Sequence, residues 1–512
     1  MSPLWILITA SIEALSAALV PVDAPPLITP TGGGSCEVES LHSERLTPEI
    51  PESTAPIAPA DPGLAGKLET MDAAKTGAEA SEASMIGNGL VVPPALVAGP
   101  LLGAANPTDA YFWARANVPG TYSLEVRTTQ GLLVARDDCA AASDSGLNLR
   151  WHIEGLDPGR EYPFRIHAAN GPLPLSGTQL IRTPLRSGYP LAKIAFGSCC
   201  NEFRFPKQRI WARMRETSPE TIVLLGDTPY IDSTKIEIQR SRYHTFLTHP
   251  DVSASLARLP WYGVWDDHDF GRNDTDGRLA GKANSRQAFV EFHAGPDVGR
   301  DGEGIFTSFR RGPVEVFLLD TRFFAGVESV PNNPRHKSLL GAKQWEWLEN
   351  GLRTSDAEFK LLACGMIWNG AVRPGKRDHW MTYPIDRDRL FEFIGEEEVN
   401  GVVLIGGDIH RSRALRHPTS SKAGYDLTEL ITSPLANTVI STANAPTPAL
   451  LKDMGVQETF LSIQADARQQ PARLSVRFVD GDGKTMYAME LLSSELRKAK
   501  ATSDLASVRA SE

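Results

Sequence analysis

Short apolar stretches that end in ligand-type residues constrain the fold of this chain most strongly. Thr221–Leu225 leads through one glycine into Asp227, and Val402–Ile405 leads through two glycines into Asp408. Stretches that are apolar at every position predict strands buried on both faces. In such parallel sheets, ligand sites form at the carboxyl ends of the strands. The pattern therefore predicts an α/β domain with a polar site at one edge of its strands.

Two more predicted strands end in the same way. Trp261–Trp265 runs into the cluster Asp266–Asp269, and Lys193–Phe196 runs into Gly-Ser-Cys199-Cys. Three carboxylates and a histidine in four consecutive positions would repel one another without a counter-cation. Taken singly, these residue types have ordinary alternatives, as turn or cap residues and as buried core side chains. Four strand ends that all carry ligand-type residues together predict a metal site.

The residue types at these ends suit a hydrolase with two metal ions. Carboxylate oxygens bind hard cations, and softer nitrogen or sulfur ligands select a transition metal. Tyr230 and His410 follow Asp227 and Asp408 closely enough for both side chains of each turn to reach one volume. The glycines before the two aspartates allow close backbone approach. Paired metal ions would bind phosphoryl oxygens and activate a hydroxide, which predicts hydrolysis of phosphate esters.

The remaining sequence divides by composition. Short strand-like runs with turns between them predict an all-β sandwich at 91–184, and Leu156–Tyr162 is similar to the tyrosine-corner stretch of fibronectin-type sandwiches. Alternating apolar strands and helical segments predict α/β layers at 190–492. Asp480–Gly483 predicts the turn of a late hairpin. We expect a disordered linker at 25–90 and a disordered tail at 493–512.

Residues 1–24 resemble a signal peptide, although Glu13 interrupts the apolar stretch and no basic residue precedes it. We therefore expect a secreted, periplasmic or cell-envelope protein, with a cytoplasmic one as the alternative, and no transmembrane span. The net charge of −10 argues against a nucleic-acid-binding surface. Five irregularly spaced cysteines do not predict a disulfide framework. The oligomeric state stays open.

In order and spacing, the motifs resemble those of the alkaline phosphatase D (PhoD-like) family within the calcineurin-like phosphoesterases. The matching segments are FGSC at Phe196–Cys199, LLGDxxY at Leu224–Tyr230, WDDHD at Trp265–Asp269, LDTR at Leu319–Arg322, GGDxH at Gly406–His410 and TSP at Thr432–Pro434. The resemblance implies a four-layer αββα metallophosphoesterase sandwich, preceded by a small fibronectin-like β-sandwich domain. It also implies a phosphoric ester hydrolase that acts on small-molecule phosphate esters.

The same resemblance implies roles for individual residues. Fe³⁺ would be held by Cys199, Asp227, Tyr230 and His410. Ca²⁺ would share Asp227 and be completed by Asp267 and Asp408, with other divalent metals as alternatives. Asn273 would match a further ligand. Among the catalytic groups, His268 would stand near the leaving group, and Arg411 and Arg322 would bind phosphate oxygens. The family's best-known members carry a twin-arginine export signal, which this sequence lacks.

Two other functions remain open from the sequence. The chain could be a catalytically silent, metal-stabilised binding or adhesion protein, although every motif position holds a workable residue. It could also hydrolyse phospholipid or nucleotide diesters on the same fold. The segment Ala371–Tyr383 could face a substrate with Arg373, Lys376, Arg377 and Trp380, or be an ordinary solvated loop.

Overall fold

The computed structural model describes residues 92–498, apart from 176–178, 187 and 332. The predicted signal peptide, the whole of the predicted linker, residue 91 of the predicted sandwich and most of the predicted tail lie outside the described residues. Among the described helices, none combines the length and the hydropathy needed to cross a bilayer.

The strands before residue 184 form two antiparallel sheets. They are β1 (Leu96–Ala105), β2 (Asp109–Ala116), β3 (Gly120–Arg127), β4 (Leu133–Ala141), β5 (Asn148–Glu154), β6 (Glu161–Ala168), β7 (Gly171–Pro172) and β8 (Leu180–Arg182). One sheet has the order β1-β2-β5, and the other has the order β4-β3-β6-β7 with β8 also paired to β6. Buried side chains from both, including Phe112 and Leu124, belong to one hydrophobic cluster.

The strands after residue 190 form two larger sheets, which lead to the candidate site, and one short two-stranded sheet. The strands are β9 (Leu191–Gly197), β10 (Thr221–Leu225), β11 (Trp261–Val264), β12 (Thr307–Arg311), β13 (Val314–Leu318), β14 (Ser329–Val330), β15 (Asn333–Lys337), β16 (Phe359–Ala363), β17 (Val402–Gly406), β18 (Ser412–His417), β19 (Leu427–Ile431), β20 (Leu450–Met454), β21 (Thr459–Asp466), β22 (Arg473–Asp480) and β23 (Thr485–Leu492). A six-stranded sheet has the order β11-β10-β9-β21-β22-β23, and a seven-stranded sheet has the order β12-β13-β16-β17-β19-β18-β20. β14 and β15 pair with each other.

Helices connect these strands. They are α1 (Ile210–Glu216), α2 (Ile236–Thr248), α3 (Pro250–Leu256), α4 (Asp267–Phe270), α5 (Lys282–Phe292), α6 (Gly341–Thr354), α7 (Pro384–Glu396) and α8 (Ser420–Ala423). One cluster of buried apolar residues contains Leu224 of β10 and Leu404 of β17, so the two large sheets share a hydrophobic core. The chain therefore has the mixed α/β architecture that its alternating strands and helices predict.

Parallel pairing explains why the motifs meet. β10 lies between β9 and β11 and runs parallel to both. In the other sheet, β17 is parallel to β16 and β19. β10 and β17 are buried at every position, as expected for strands covered on both faces. Because parallel strands end at the same edge, the turns after β9, β10 and β11 lie side by side.

Several strands are missing from the sequence-based expectation, and β21 is the one that matters most for the six-stranded sheet. It pairs antiparallel with β9, Leu461 opposite Phe196, and so joins the predicted late hairpin β22–β23 to the six-stranded sheet. The partner of β21 is distant in the chain, and local pattern alone does not reveal such pairing.

The tyrosine-corner contact expected from the sequence is present. The backbone N–H of Asp157 donates to the hydroxyl oxygen of Tyr162 over 2.8 Å. The aromatic ring itself is buried, 4% exposed, in the cluster shared by the first two sheets. The hydroxyl thus holds the turn before β6 against the apolar core.

We predict that Tyr162→Phe lowers the free energy of unfolding by about 1 kcal/mol, because the Asp157 N–H loses its acceptor in a partly buried turn. Urea unfolding followed by circular dichroism measures the change. Tyr189→Phe, at a largely exposed tyrosine, is the matched control and should leave the midpoint unchanged. Equal stability of both variants would show that the corner contact contributes nothing.

Candidate metal centre

Three turns bring a thiol, a carboxylate, a phenol and an imidazole together. Ligand atoms of Cys199, Asp227 and His410 all lie within 4.8 Å of one another. The Sγ of Cys199 is 3.4 Å from Oδ2 of Asp227. The hydroxyl of Tyr230 is 2.6 Å from Nε2 of His410. These four side chains, predicted from three separate motifs, therefore surround one small volume.

Asp227 also belongs to a second group. Ligand atoms of Asp227, Asp267 and His268 lie within 4.8 Å of one another. The backbone oxygen of Asp408 lies 3.5 Å from the Sγ of Cys199, which places the Asp408 turn beside the first group. The structure thus brings six of the predicted metal ligands into one region, and Asp227 belongs to both groups.

The backbone at this region adopts a conformation that non-glycine residues rarely take. Cys199, Asp227, Asp408 and His410 have φ values of 57°, 52°, 66° and 49°. Left-handed backbone costs an L-residue about 1–2 kcal/mol and persists where its surroundings impose it. Four such residues among six predicted ligands show that these turns are shaped to aim side chains at one point.

The glycines before two of these residues permit the turns to approach one another. A Cβ at Gly226 would lie 2.3 Å from the backbone nitrogen of Asp266, and one at Gly407 would lie 2.5 Å from Oγ of Ser198. No side chain fits at either distance. The expectation that these glycines allow close backbone approach is confirmed.

Burial controls the ionisation of the first group. Burial, with Asp227 adding to it, raises the pKa of the Cys199 thiol well above its usual range. Burial and Asp267 raise the pKa of Asp227, and burial and Asp227 raise the pKa of the Tyr230 phenol. A metal ion reverses this effect by binding the deprotonated groups. Sulfur, nitrogen and oxygen donors in this buried volume fit a transition metal.

His268 lies at the opening of the site, with a side chain 20% exposed. Its Nδ1 is 2.6 Å from Oδ1 of Asp232. Burial alone would lower the pKa of His268, but Asp227 and the contact with Asp232 outweigh it and raise the pKa to about 10. The contact with Asp232 orients the ring and favours its protonated form.

The two arginines expected to bind phosphate have carboxylate partners. Arg322 is fully buried, and its Nε donates to Oδ1 of Asp266 over 2.7 Å. Its Nη2 lies 2.7 Å from Oδ2 of Asp378. The Nε of Arg411 donates to Oδ1 of Asp453 over 2.7 Å. These contacts give no support to a phosphate-binding role and point to positioning of the loops around the site.

The loop after α4 also differs from the expectation. Asn273 is exposed and makes no hydrogen bond within the described part of the chain. Its neighbour Asp274 donates its backbone N–H to Oδ2 of Asp267 over 2.7 Å. Ligand atoms of Asp267, Asp274 and Asp378 lie within 4.8 Å of one another. The residue of this loop that approaches Asp267 is therefore the aspartate at 274, one position after the asparagine expected there.

Lys376 is a second residue whose position the sequence did not settle. Its Nζ lies 3.1 Å from Oδ2 of Asp408 and 2.7 Å from Oδ1 of Asp274. Burial would lower the pKa of Lys376, but Asp408 and Asp378 outweigh it and raise the pKa above its usual range. The only earlier indication was a basic segment at Ala371–Tyr383, which fitted a solvated loop equally well.

We predict that Arg322→Met lowers the free energy of unfolding by about 3–5 kcal/mol, because it leaves the buried Asp266 carboxylate without its partner. Chemical unfolding measures the loss. Arg411→Met is the matched control at a partly exposed ion pair and should cost about 1 kcal/mol or less. A stable Arg322→Met protein that binds inorganic phosphate more weakly would instead establish the phosphate-binding role.

Comparison with known proteins identifies the family of this chain. The model of the PhoD-like phosphatase family matches residues 194–497, more than half of the chain. Alkaline phosphatase D of Bacillus subtilis (strain 168) is 25% identical, over 51% of this chain and 53% of that protein. This chain thus matches about half the length of that relative.

Solved structures share the fold. The structure of PhoD superposes with a TM-score of 0.62 at 18% identity, over 78% of this chain and 91% of that one. Purple acid phosphatase PPD1 from yellow lupin seeds (Lupinus luteus) superposes with a TM-score of 0.60 at 12% identity, over 78% of this chain and 75% of that one. By the extent of the family match, this chain belongs to the PhoD-like phosphatases.

Proposed function

We propose that this protein hydrolyses phosphate esters with metal ions held at Cys199, Asp227, Tyr230, Asp267, Asp408 and His410. The observation that carries the proposal is the meeting of five of these side chains, with the backbone of Asp408 beside them, at the ends of strands from both large sheets. Membership of the PhoD-like phosphatase family supports the same reaction. When bound, paired metal ions supply Lewis acidity toward phosphoryl oxygens and a nucleophile at neutral pH.

The donor types support a different metal in each group. A thiolate, a phenolate and an imidazole suit Fe³⁺, which we assign to Cys199, Asp227, Tyr230 and His410. The carboxylate oxygens of Asp227, Asp267 and Asp408 suit Ca²⁺, which we assign to these three residues. Asp227 is the residue common to both groups.

His268 is the group placed to protonate the leaving alcohol. Asp232 fixes its ring through the Nδ1 contact of 2.6 Å and favours the protonated form that such a role requires. Because Nδ1 is bound to Asp232, Nε2 is the ring nitrogen that would face the substrate. Arg373, with Nη1 4.0 Å from Oδ1 of Asp408 and a side chain 26% exposed, is placed better than Arg322 or Arg411 to meet phosphate oxygens.

The organisation around the site is also proposed. We assign 91–184 to a fibronectin-like β-sandwich domain and 190–492 to a four-layer αββα catalytic domain. The first two sheets have a hydrophobic cluster of their own, which supports this division, and Leu101 and Trp113 of the same sheets pack into the core of the larger sheets. We further propose export of the protein, for which the apolar stretch at 3–20 is the supporting observation.

The other two functions differ in their support. A silent binding protein would need no intact ligand set, yet all six positions hold residues that can bind metal. Hydrolysis of phospholipid or nucleotide diesters uses the same centre, and it differs from monoester hydrolysis only in the groups that surround the substrate. The centre therefore supports an ester hydrolase of either kind more than a binding protein.

We predict that Asp227→Asn lowers the turnover of p-nitrophenyl phosphate and bis-p-nitrophenyl phosphate at least about 1,000-fold, since a carboxylate common to both metals becomes a neutral amide. Circular dichroism should show an unchanged fold. Asp356→Asn, at a side chain 95% exposed, is the control and should keep full activity. Full activity of Asp227→Asn would refute the assignment.

We predict that His268→Asn slows hydrolysis of alkyl phosphates by about 100- to 10,000-fold, because an alkoxide needs a proton as it leaves. Esters of p-nitrophenol, whose anion leaves unaided, should lose far less. The ratio of the two rates, compared with wild type and with the exposed-histidine variant His336→Asn, measures the effect. An equal loss for both esters would exclude proton donation by His268.

A further inference from the structure

Lys376 lies within a group of carboxylates. Its Nζ is 2.7 Å from Oδ1 of Asp274, 3.1 Å from Oδ2 of Asp408 and 3.5 Å from Oδ2 of Asp378. The side chain is 3% exposed. An ammonium has three donors, and this one faces three carboxylates. Lys376 is therefore a built-in cation of this region and not a solvated loop residue.

Two of these carboxylates also belong to a candidate metal-binding group. Asp267, Asp274 and Asp378 present ligand atoms within 4.8 Å of one another, which is a donor set for a hard cation. Asp408, which contacts Lys376, is one of the two residues proposed to complete the second metal site with Asp227. The ammonium and the second metal ion thus draw on overlapping sets of carboxylates.

Both cations cannot sit there together at low cost. A divalent ion on these carboxylates would lie within a few ångströms of the ammonium, where like charges repel strongly in a buried site. Asp378 is held in place by Arg322, with 2.7 Å between Nη2 and Oδ2. The lysine has the freedom to leave, since its charge is carried on a flexible four-carbon stem.

We propose that the Lys376 ammonium and the second metal ion are alternative occupants of one acidic position bordered by Asp274, Asp378 and Asp408. The second metal then binds weakly and reversibly, and its arrival moves the ammonium toward solvent. The first metal, at the cysteine, is not affected. This inference rests on the proposed function for the assignment of a second metal to Asp267 and Asp408.

Calcium binding to the purified holoprotein tests the competition directly. Isothermal titration with Ca²⁺ should show at least tenfold tighter binding to Lys376→Met than to wild type, because the competing charge is gone. Arg377→Met removes the same charge from the exposed neighbouring residue and should leave calcium affinity unchanged. Lys376→Arg keeps a cation and should bind calcium as weakly as wild type. Calcium binding to Lys376→Met that is no tighter than to wild type would overturn the inference.

A second measurement needs no variant. Labelling of wild-type protein with a water-soluble amine reagent, mapped by mass spectrometry, should modify Lys376 slowly without calcium and at least several-fold faster with it. Protection that calcium does not change would also overturn the inference. Ester hydrolysis by the wild-type protein is measured in parallel. If the wild-type protein is active and Lys376→Met binds calcium no tighter than wild type, the competition alone is refuted. An inactive protein that shows the calcium effect refutes the proposed reaction alone.

Discussion

The rest of the site depends on the burial of Asp227 beside a thiol, a phenol and other carboxylates. In the absence of a cation, burial raises the pKa values of Asp227, Cys199 and Tyr230 and so favours their protonated forms. A metal ion among them converts the same arrangement into a set of anionic ligands. The charge balance at Asp227 therefore links folding of the turns, metal binding and catalysis.

The scaffold supplies the rigidity that this arrangement requires. Parallel pairing of β9, β10 and β11 aligns the ends of three strands, and the buried core shared with the second sheet sets the distance to the turn after β17. Positive φ at four ligand positions would be costly in isolation, and the surrounding turns impose it. The buried Arg322–Asp266 pair then neutralises a carboxylate next to the site, so that not every acidic group needs a metal.

Much of this could be predicted from the sequence, because the motifs are local. Apolar strands with ligands at their ends gave β10 and β17 and all six residues that meet, and the family that the motifs resemble is confirmed by the comparison. Loop geometry could not be predicted in this way. The family resemblance suggested Asn273 as a ligand, whereas it is the backbone N–H of Asp274 that approaches Asp267. It gave no reason to place Lys376 on Asp408, because both the loop path and the partner are set by tertiary packing.

Catalysis as proposed requires that Cys199 and its neighbours hold a transition metal. Elemental analysis of the purified protein, followed by X-ray absorption at the edge of the metal found, measures whether they do. We predict about one equivalent of tightly bound iron or another transition metal, with one sulfur neighbour that disappears in Cys199→Ser, and a visible tyrosinate band if the metal is Fe³⁺. Protein that hydrolyses phosphate esters with calcium alone, or with a metal surrounded only by oxygen and nitrogen, would contradict the account.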